Sequence, residues 1–228
     1  MMPREQPQEN QYGVEVTKFV PKAADVLGVV DLPDRHDAIW KHAEPYLKVR
    51  DNDTHTIYSY GLARALVDLH PEADPEVVLP AILLHDTGWS TVPEKNILSA
   101  IAPGGGRPDL VIQHEKQGAR IARQVLGDVG WDVERTEQII MIIGGHDSRP
   151  EAMSLNDALM KDADKLWRLT PHGVDTVMNW FGLTRDQAHR LIARRVHGRL
   201  LTDAGRTMAR ALAAVASVDI APQRLALG

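Results

Sequence analysis

Histidine and aspartate recur in a fixed order along the chain: His55, the pair His85-Asp86, His114, His146, and Asp164 within Asp162-Ala163-Asp164-Lys165. Each stands at the edge or on the inward face of a segment that otherwise reads as buried helix. Helical spacing puts His55 on one face with Tyr58, Leu62 and Leu66, and sets His85 over Ala81, Ile82 and Val78. His114 aligns with Gly118, Ile121 and Val125, and His146 follows Ile139, Ile142 and Ile143. Four imidazoles and two carboxylates aimed into apolar surroundings are costly unless partnered. A metal centre with nitrogen and oxygen ligands satisfies them together. Taken singly, each histidine reads more simply as a core residue bonded to a backbone carbonyl, Asp86 as a helix-end residue and Asp164 as a surface carboxylate. The joint pattern on separate helices is what points to a metal.

The elements that must position these groups are helical almost throughout from Asp34 onward. Asp34 can cap a helix carrying Ile39, Trp40, Ala43 and Leu47; Thr54 can cap the next, with Tyr58, Leu62, Ala65, Leu66 and Leu69 as its stripe. The segment from Glu76 to Asp86 is apolar all round, which marks a central helix, and Pro80 near its first turn is tolerable there. Pro103-Gly104-Gly105-Gly106 and Pro108 make 101–109 a flexible loop, a candidate lid over a site. Helices then follow at about 110–127, 132–145, 155–168, 173–182, 184–198 and 203–217. No strand hairpin and no repeat of solenoid length is evident. The expectation is an all-α chain with one domain over 34–218. Its metal-site core is at about 50–170, and extra C-terminal helices shape a pocket or form a homodimer contact. A lead-in over 1–33 reads as polar and Gln-rich, then irregular or partly extended, and 219–228 as a tail.

Composition is that of an ordinary soluble protein, 43% hydrophobic and 25% charged, long enough at 228 residues for one substantial core. The formal charge of -5 leaves no basic footprint for nucleic acid, though a small phosphate ester could be held by local cations and metals. The absence of cysteine removes disulfides, thiolate ligands and thiol nucleophiles, so histidines and carboxylates must do any ligation. No apolar signal core opens the chain, and no stretch approaches the ~18 apolar residues of a membrane span. A cytoplasmic location is the default expectation.

The ordered set resembles the HD superfamily of metal-dependent phosphohydrolases, named for its His-Asp doublet. The matching pieces are His55 in Asn52-Asp53-Thr54-His55, Leu83-Leu84-His85-Asp86 followed by Gly88, the intervening His114 and His146, and Asp162-Ala163-Asp164-Lys165-Leu166. The resemblance covers about residues 50–170. The doublet alone is a weak motif; the six together are strong.

The resemblance implies an HD-domain helical bundle in which His55, His85, Asp86 and Asp164 bind one divalent metal. His114 and His146 would bind a second, with Asp86 bridging. That Asp164 is the ligand comes from the family pattern, since spacing does not separate it from Asp162. Two metals would stand ~3.5–4 Å apart and acidify a solvent molecule between them for attack at neutral pH. Iron, manganese, magnesium, nickel or zinc fit a thiolate-free donor set. The substrate would be a nucleotide or another small phosphorylated metabolite. By the same resemblance Lys165 faces substrate phosphate, against the alternative of a solvated lysine, and Arg149 is a weaker anion-binding candidate.

The same six ligands also occur in mixed-valence di-iron oxygenases that cleave an organophosphonate or a polyol. His114-Glu115-Lys116-Gln117-Gly118-Ala119 resembles both branches, and the Asp-Ala-Asp-Lys-Leu run looks more like the hydrolases. No Gly-Tyr-Pro follows the His114 helix, which sets aside the cyclic-dinucleotide branch. A non-catalytic, ligand-binding HD domain ranks last because the ligand set is intact. Glu115, Lys116 and Asp147 read as solvated, and Trp167 as a core aromatic rather than a pocket wall. His36, His42, His70, His172, His189 and His197 read as surface residues, and Arg190 to Arg199 as a solvated helix face.

Overall fold

Apolar spacing becomes helix nearly everywhere it occurs. A computed structural model describes residues 12–26, 28 and 31–226, and among them it contains eleven α-helices and no strand. The chain divides into two units, Met1–Asp31 and Leu32–Gly228. In the first, 3-10 turns at Thr17–Phe19 and Ala23–Asp25 are the regular elements among the described residues. The polar tail expected at the amino terminus falls on residues 1–11, outside the described ones.

In the second unit, α1 (Asp34–Ala43) turns Ile39 and Ala43 inward. It also buries His36, which the charged neighbours Arg35 and Asp37 had marked as surface. Its Nδ1 lies 2.7 Å from the Tyr60 hydroxyl, and burial pushes its pKa down. Of the other histidines expected at the surface, His42 is exposed, whereas His70, His172, His189 and His197 are half-buried.

The next helix, α2 (Asn52–Asp68), starts earlier than a Thr54 cap would allow. Arg50 and Asp51 both adopt left-handed backbone, φ 57 and 56, so the chain turns sharply just before Asn52. His55 therefore sits in the first helical turn, on the buried face with Ser59 and Leu66.

The central helix α3 (Pro75–Leu84) is capped by the Asp74 side chain, which accepts from the Glu76 amide, and buries every residue from Val77 to Leu84. Pro80 has no N–H for the Glu76 carbonyl one turn back. The Trp131 indole N–H supplies it instead, at 3.2 Å. The interruption is thus satisfied from a distant part of the chain, and α3 is packed by α1, α2, α6 and α7.

A 3-10 turn, Thr87–Thr91, follows the doublet and lies directly on α5 (Pro108–Asp128). Gly88 makes this possible: a Cβ there would overlap the His114 carbonyl and come within 2.5 Å of the Gly118 amide. Both obstacles are helix backbone and cannot rotate away. Gly88→Ala is expected to cost about 3 kcal/mol or more by overpacking, and to displace His114 from the doublet. A denaturant midpoint measured with and without metal checks this; an unchanged midpoint would contradict it.

Between them lies α4 (Glu94–Ile101), a helix too short for its period to stand out in sequence, with Ile97 buried in a small satellite core with Trp89, Val92 and Leu110. The Gly-rich connection shrinks accordingly to 102–107. Then come α6 (Val133–Ile143), α7 (Leu155–Leu166), α8 (Pro171–Phe181), α9 (Arg185–Val196) and α10 (Asp203–Ala216). Side-chain oxygens cap all five starts: Asp132, Ser154, Thr170, Thr184 and Thr202. The expected C-terminal tail instead holds a 3-10 turn, Val218–Ile220, and a short α11 (Pro222–Leu225). Among the described residues no helix is long and apolar enough to cross a membrane.

Candidate metal centre

Four helix ends and one helix interior aim polar side chains at a common point. His85 ends α3 and His146 follows α6; each directs its Nδ1 at the carbonyl three residues back, Ile82 and Ile143, at 2.8 Å. A carbonyl can only accept, so Nδ1 carries the proton and Nε2 is turned inward with its lone pair available. His55 from α2, His114 from α5 and Asp164 from α7 complete the ring around Asp86. All six are buried.

The separations are short and uniform. His55 and His85 bring their Nε2 atoms to 3.1 Å, and His114 and His146 to 3.4 Å. An Asp164 oxygen lies 3.5 Å from His55 and 3.6 Å from His85. Asp86 reaches all four imidazoles, at 3.5 Å from His55, 3.6 Å from His85, 3.8 Å from His114 and 3.7 Å from His146. These imidazole–carboxylate distances exceed the ~2.7–2.9 Å of charge-assisted hydrogen bonds. Ligand bonds of about 2.0–2.2 Å to one ion would hold neighbouring donors roughly 3.0–3.5 Å apart. The donor set therefore fits a metal better than it fits itself. Within it, His55, His85 and Asp164 form one group able to hold an ion, His85, Asp86 and His146 a second, and His114, His146 and Asp147 a third.

Charge is distributed to match. Burial pushes His55 down to about 3 and His114 down to about 4. Burial also opposes charge on His146, but the Asp147 and Asp86 carboxylates outweigh it and raise this imidazole to about 9. His85 is raised as well, against burial, by Asp86 and Asp164. Asp86 is held well below the usual carboxylate range despite burial, by His85 and His146, and Asp164 likewise by Arg168 and His85. The surroundings thus favour the ionised forms of Asp86 and Asp164 and the charged forms of His85 and His146.

Several neighbours were not legible beforehand. Asp147 is exposed, as expected, yet extends an oxygen to within 3.6 Å of His114 and 3.8 Å of His146. Glu115, also expected in solvent, is buried and accepts the backbone N–H groups of Asp147 and Ser148 at 2.9 and 2.8 Å. It clamps the loop that carries His146 onto the helix that carries His114. Trp89 stacks on His114 with ring centroids 3.8 Å apart and donates its indole N–H to Asp86 at 3.0 Å. Trp167 is buried in the core yet also stands edge-on to His55 at 4.6 Å, so it is both a core aromatic and a wall of the centre.

Arg50, on the left-handed turn before α2, lies 3.9 Å from Asp86 between the rings of Trp89 and Trp180. Its Nε is buried with no hydrogen-bond partner. No spacing signal marks a residue held by backbone geometry rather than by a helix face.

Of the two sequence-derived substrate contacts, Lys165 stays close: its Nζ is 4.0 Å from Asp164 and donates to the Lys161 carbonyl. Arg149 is placed elsewhere. Its guanidinium donates to buried Asp157 at 2.9 Å, and it lines neither cavity at the centre. Buried Lys161 donates to the Arg149 and Glu151 carbonyls, which pins the post-His146 loop to α7 and makes Arg149 part of that brace. A small void of about 20 Å³ touches His55, Asp86 and Arg50. A larger cavity of about 190 Å³ opens beside it, reaching Asp147, Asp164, Lys165 and Arg168 at its inner end.

Residues 52–169, just over half of the chain, match the HD domain family, and every histidine and aspartate of the cluster lies within the match. The chain belongs to the HD domain family. His85-Asp86 is accordingly its His-Asp doublet. The crystal structure of a predicted HD superfamily hydrolase from an uncultured Thermotogales bacterium is similar in fold, with a TM-score of 0.56 at 18% identity. The likeness covers 83% of this chain and 91% of that one, so it extends past the HD match into the surrounding helices. No curated protein matches the chain.

Proposed function

We propose that this HD-domain protein is a metal-dependent phosphohydrolase acting on a small phosphate ester. The observation that carries the reading is the convergence of four imidazoles and two carboxylates at coordination-like spacing, with Asp164 of that cluster also lining a neighbouring cavity rich in cations. His55, His85, Asp86 and Asp164 would hold one divalent ion. His114 and His146 would hold a second, with Asp86 shared and Asp147 as an additional oxygen. Bound metal of this kind supplies an acidified water for attack and positive charge for the phosphoryl oxygens.

The remaining roles belong to the chain itself. Lys165 and Arg168 line the cavity next to Asp164 and can orient a phosphoryl group toward the centre. Arg50 brings a fixed cation to the other side of Asp86, where its unpartnered Nε can donate to an anion. Trp89 and Trp167 exclude water around His114 and His55 and hold their rings in place. The neighbour described as a predicted HD superfamily hydrolase is consistent with this reading.

A nitrogen and oxygen donor set free of thiolate suits iron as well as manganese, which keeps a di-iron oxygenase acting on an organophosphonate or polyol as the second reading. Purification with and without air, followed by metal analysis and paramagnetic resonance, separates the two. So does a screen for phosphate release with manganese, magnesium and nickel. Phosphate release from monoesters is the expected result. Oxygen uptake coupled to a phosphonate or polyol, with no phosphatase activity, would overturn it.

Metal uptake should also follow pH. Neutral imidazole is the ligating form, and His146 keeps its proton up to about 9. Each binding event must therefore displace protons below that pH. Apparent affinity is expected to rise by up to roughly tenfold per unit through neutrality and to level off above about 9. Titration in weak buffer should show proton release; affinity independent of pH would contradict the assignment of His146.

A further inference from the structure

The larger cavity is bounded on its outer side by helices beyond the HD match. Val177, Trp180 and Phe181 of α8 and Leu191, Ile192 and Val196 of α9 give it an apolar wall. Arg195 and Arg199, one turn apart, stand on the same side. The spacing of apolar residues among these arginines suggests a solvated helix face, and Arg194 does face solvent. Arg195 does not: it is half-buried, and one Nη donates to the Ile101 carbonyl at 3.0 Å. That bond anchors the side chain and leaves its other donors free.

The cavity gathers four cations, Lys165, Arg168, Arg195 and Arg199, against two carboxylates, Asp147 and Asp164. Both carboxylates are already engaged with the histidine cluster. Lys165 and Arg168 lie within 4.0 Å of Asp164. Among the described residues, neither Arg195 nor Arg199 has a carboxylate within that distance. The positive charges of Arg168 and Arg199 therefore act on half-buried Arg195 without a close counter-charge. Such an arrangement is costly in the empty protein and is relieved by an anion. A phosphoryl dianion offers two negative charges to four cations, so one such group leaves part of the positive charge unanswered. The volume of about 190 Å³ is below the roughly 300–1,000 Å³ of sites for drug-sized ligands, so the occupant is compact.

From this we infer that the substrate is a compact phosphate ester carrying a second anionic group, a carboxylate or another phosphate. A short apolar or planar segment links the two, and Arg195 and Arg199 select that second anion. The inference rests on the phosphohydrolase reading for the inner end and adds the chemistry of the outer end. Arg195 and Arg199 are specificity residues in it, and Trp180 and Phe181 flank the linking segment.

Hydrolysis-inert probes test it apart from turnover. The full-length protein supplied with manganese is titrated calorimetrically with phenylphosphonate and with its 3- and 4-carboxy derivatives. At least one carboxy derivative should bind tenfold or more tightly than the parent. That ratio should drop below twofold in Arg195→Gln, and in Arg199→Glu, an exposed site whose replacement leaves the core untouched. Equal binding of all three probes, no binding of any, or a preference that survives both substitutions would overturn the proposal. The matching aryl phosphate esters are assayed alongside for phosphate release. Retained preference without release would sink the hydrolase reading while leaving the dianion pocket intact.

Discussion

Asp86→Ala is expected to lose both metals and roughly a thousandfold or more of any hydrolytic rate, because that carboxylate serves each half of the centre. Its oxygens lie within 3.5 to 3.8 Å of all four imidazoles, a reach no other side chain in the cluster has. Removing it also takes away a carboxylate that holds protons on His85 and His146. Asp86→Asn separates charge from shape, since an amide oxygen can still accept from the Trp89 indole but cannot neutralise two ions. It should fold like the parent and still bind metal poorly. His114→Ala should spare the ion at His55 and His85 and remove mainly the other. Elemental analysis of each variant, with circular dichroism as a folding control, decides the matter. Full metal content in Asp86→Ala would refute the shared role, and equal loss of both ions in His114→Ala would refute the division of ligands.

The second large effect concerns two aspartates two residues apart. Asp164 faces His55 and His85, whereas Asp162 points across α7 to the start of α10. There Asp162 accepts from the Leu201 amide at 2.8 Å, the Thr202 amide at 2.9 Å and the Thr202 hydroxyl at 2.7 Å. Asp162→Ala leaves two buried donors at Thr202 and a part-buried one at Leu201 without their acceptor, at a cost of roughly 3–5 kcal/mol. The metal ligands are untouched by it. Asp164→Ala should empty the centre at a smaller loss of stability, because Arg168 and His85 favour its charge but no backbone amide depends on it as an acceptor. Urea midpoints and metal content measured on both variants should cross over. A pair of variants that behaved alike would show that the two carboxylates do not divide the work in this way.

Helices α5 and α6 were legible because burial repeats along them with the helical period, and α3 because it is apolar all round; in α2 the expected stripe holds at Leu66, whereas Tyr58 and Leu69 are exposed and Tyr60 and Ala63 turn inward instead. The inward placement of His55, His85, His114 and His146 followed from the same period, since a residue three or four positions from an apolar neighbour shares its face. What escaped was of another kind. Helix α4 is too short for a period to register, and the start of α2 is set by left-handed backbone at Arg50 and Asp51. Glu115, Asp147 and His36 read as surface groups because polar residues in charged company usually are. Each is buried or turned inward by a partner far along the chain: the loop after α6, His114, and Tyr60.

Apolar spacing was therefore sufficient for the all-α architecture, and the order of histidines and aspartates for membership in the HD family and a metal-competent cluster. Helical periodicity records which face of a segment is apolar, and ligands set into that face announce themselves. The family pattern had already chosen Asp164 over Asp162; only the tertiary structure showed that Asp162 holds the start of α10, that Arg149 braces a loop, and that Asp147 and Arg50 lie beside the cluster. It alone turned Arg195 from a helix face into the wall of a cavity. The physical reason is common to all of these. A buried polar group is defined by what satisfies it, and its partner here commonly stands tens of residues away, on an element whose approach no local spacing encodes.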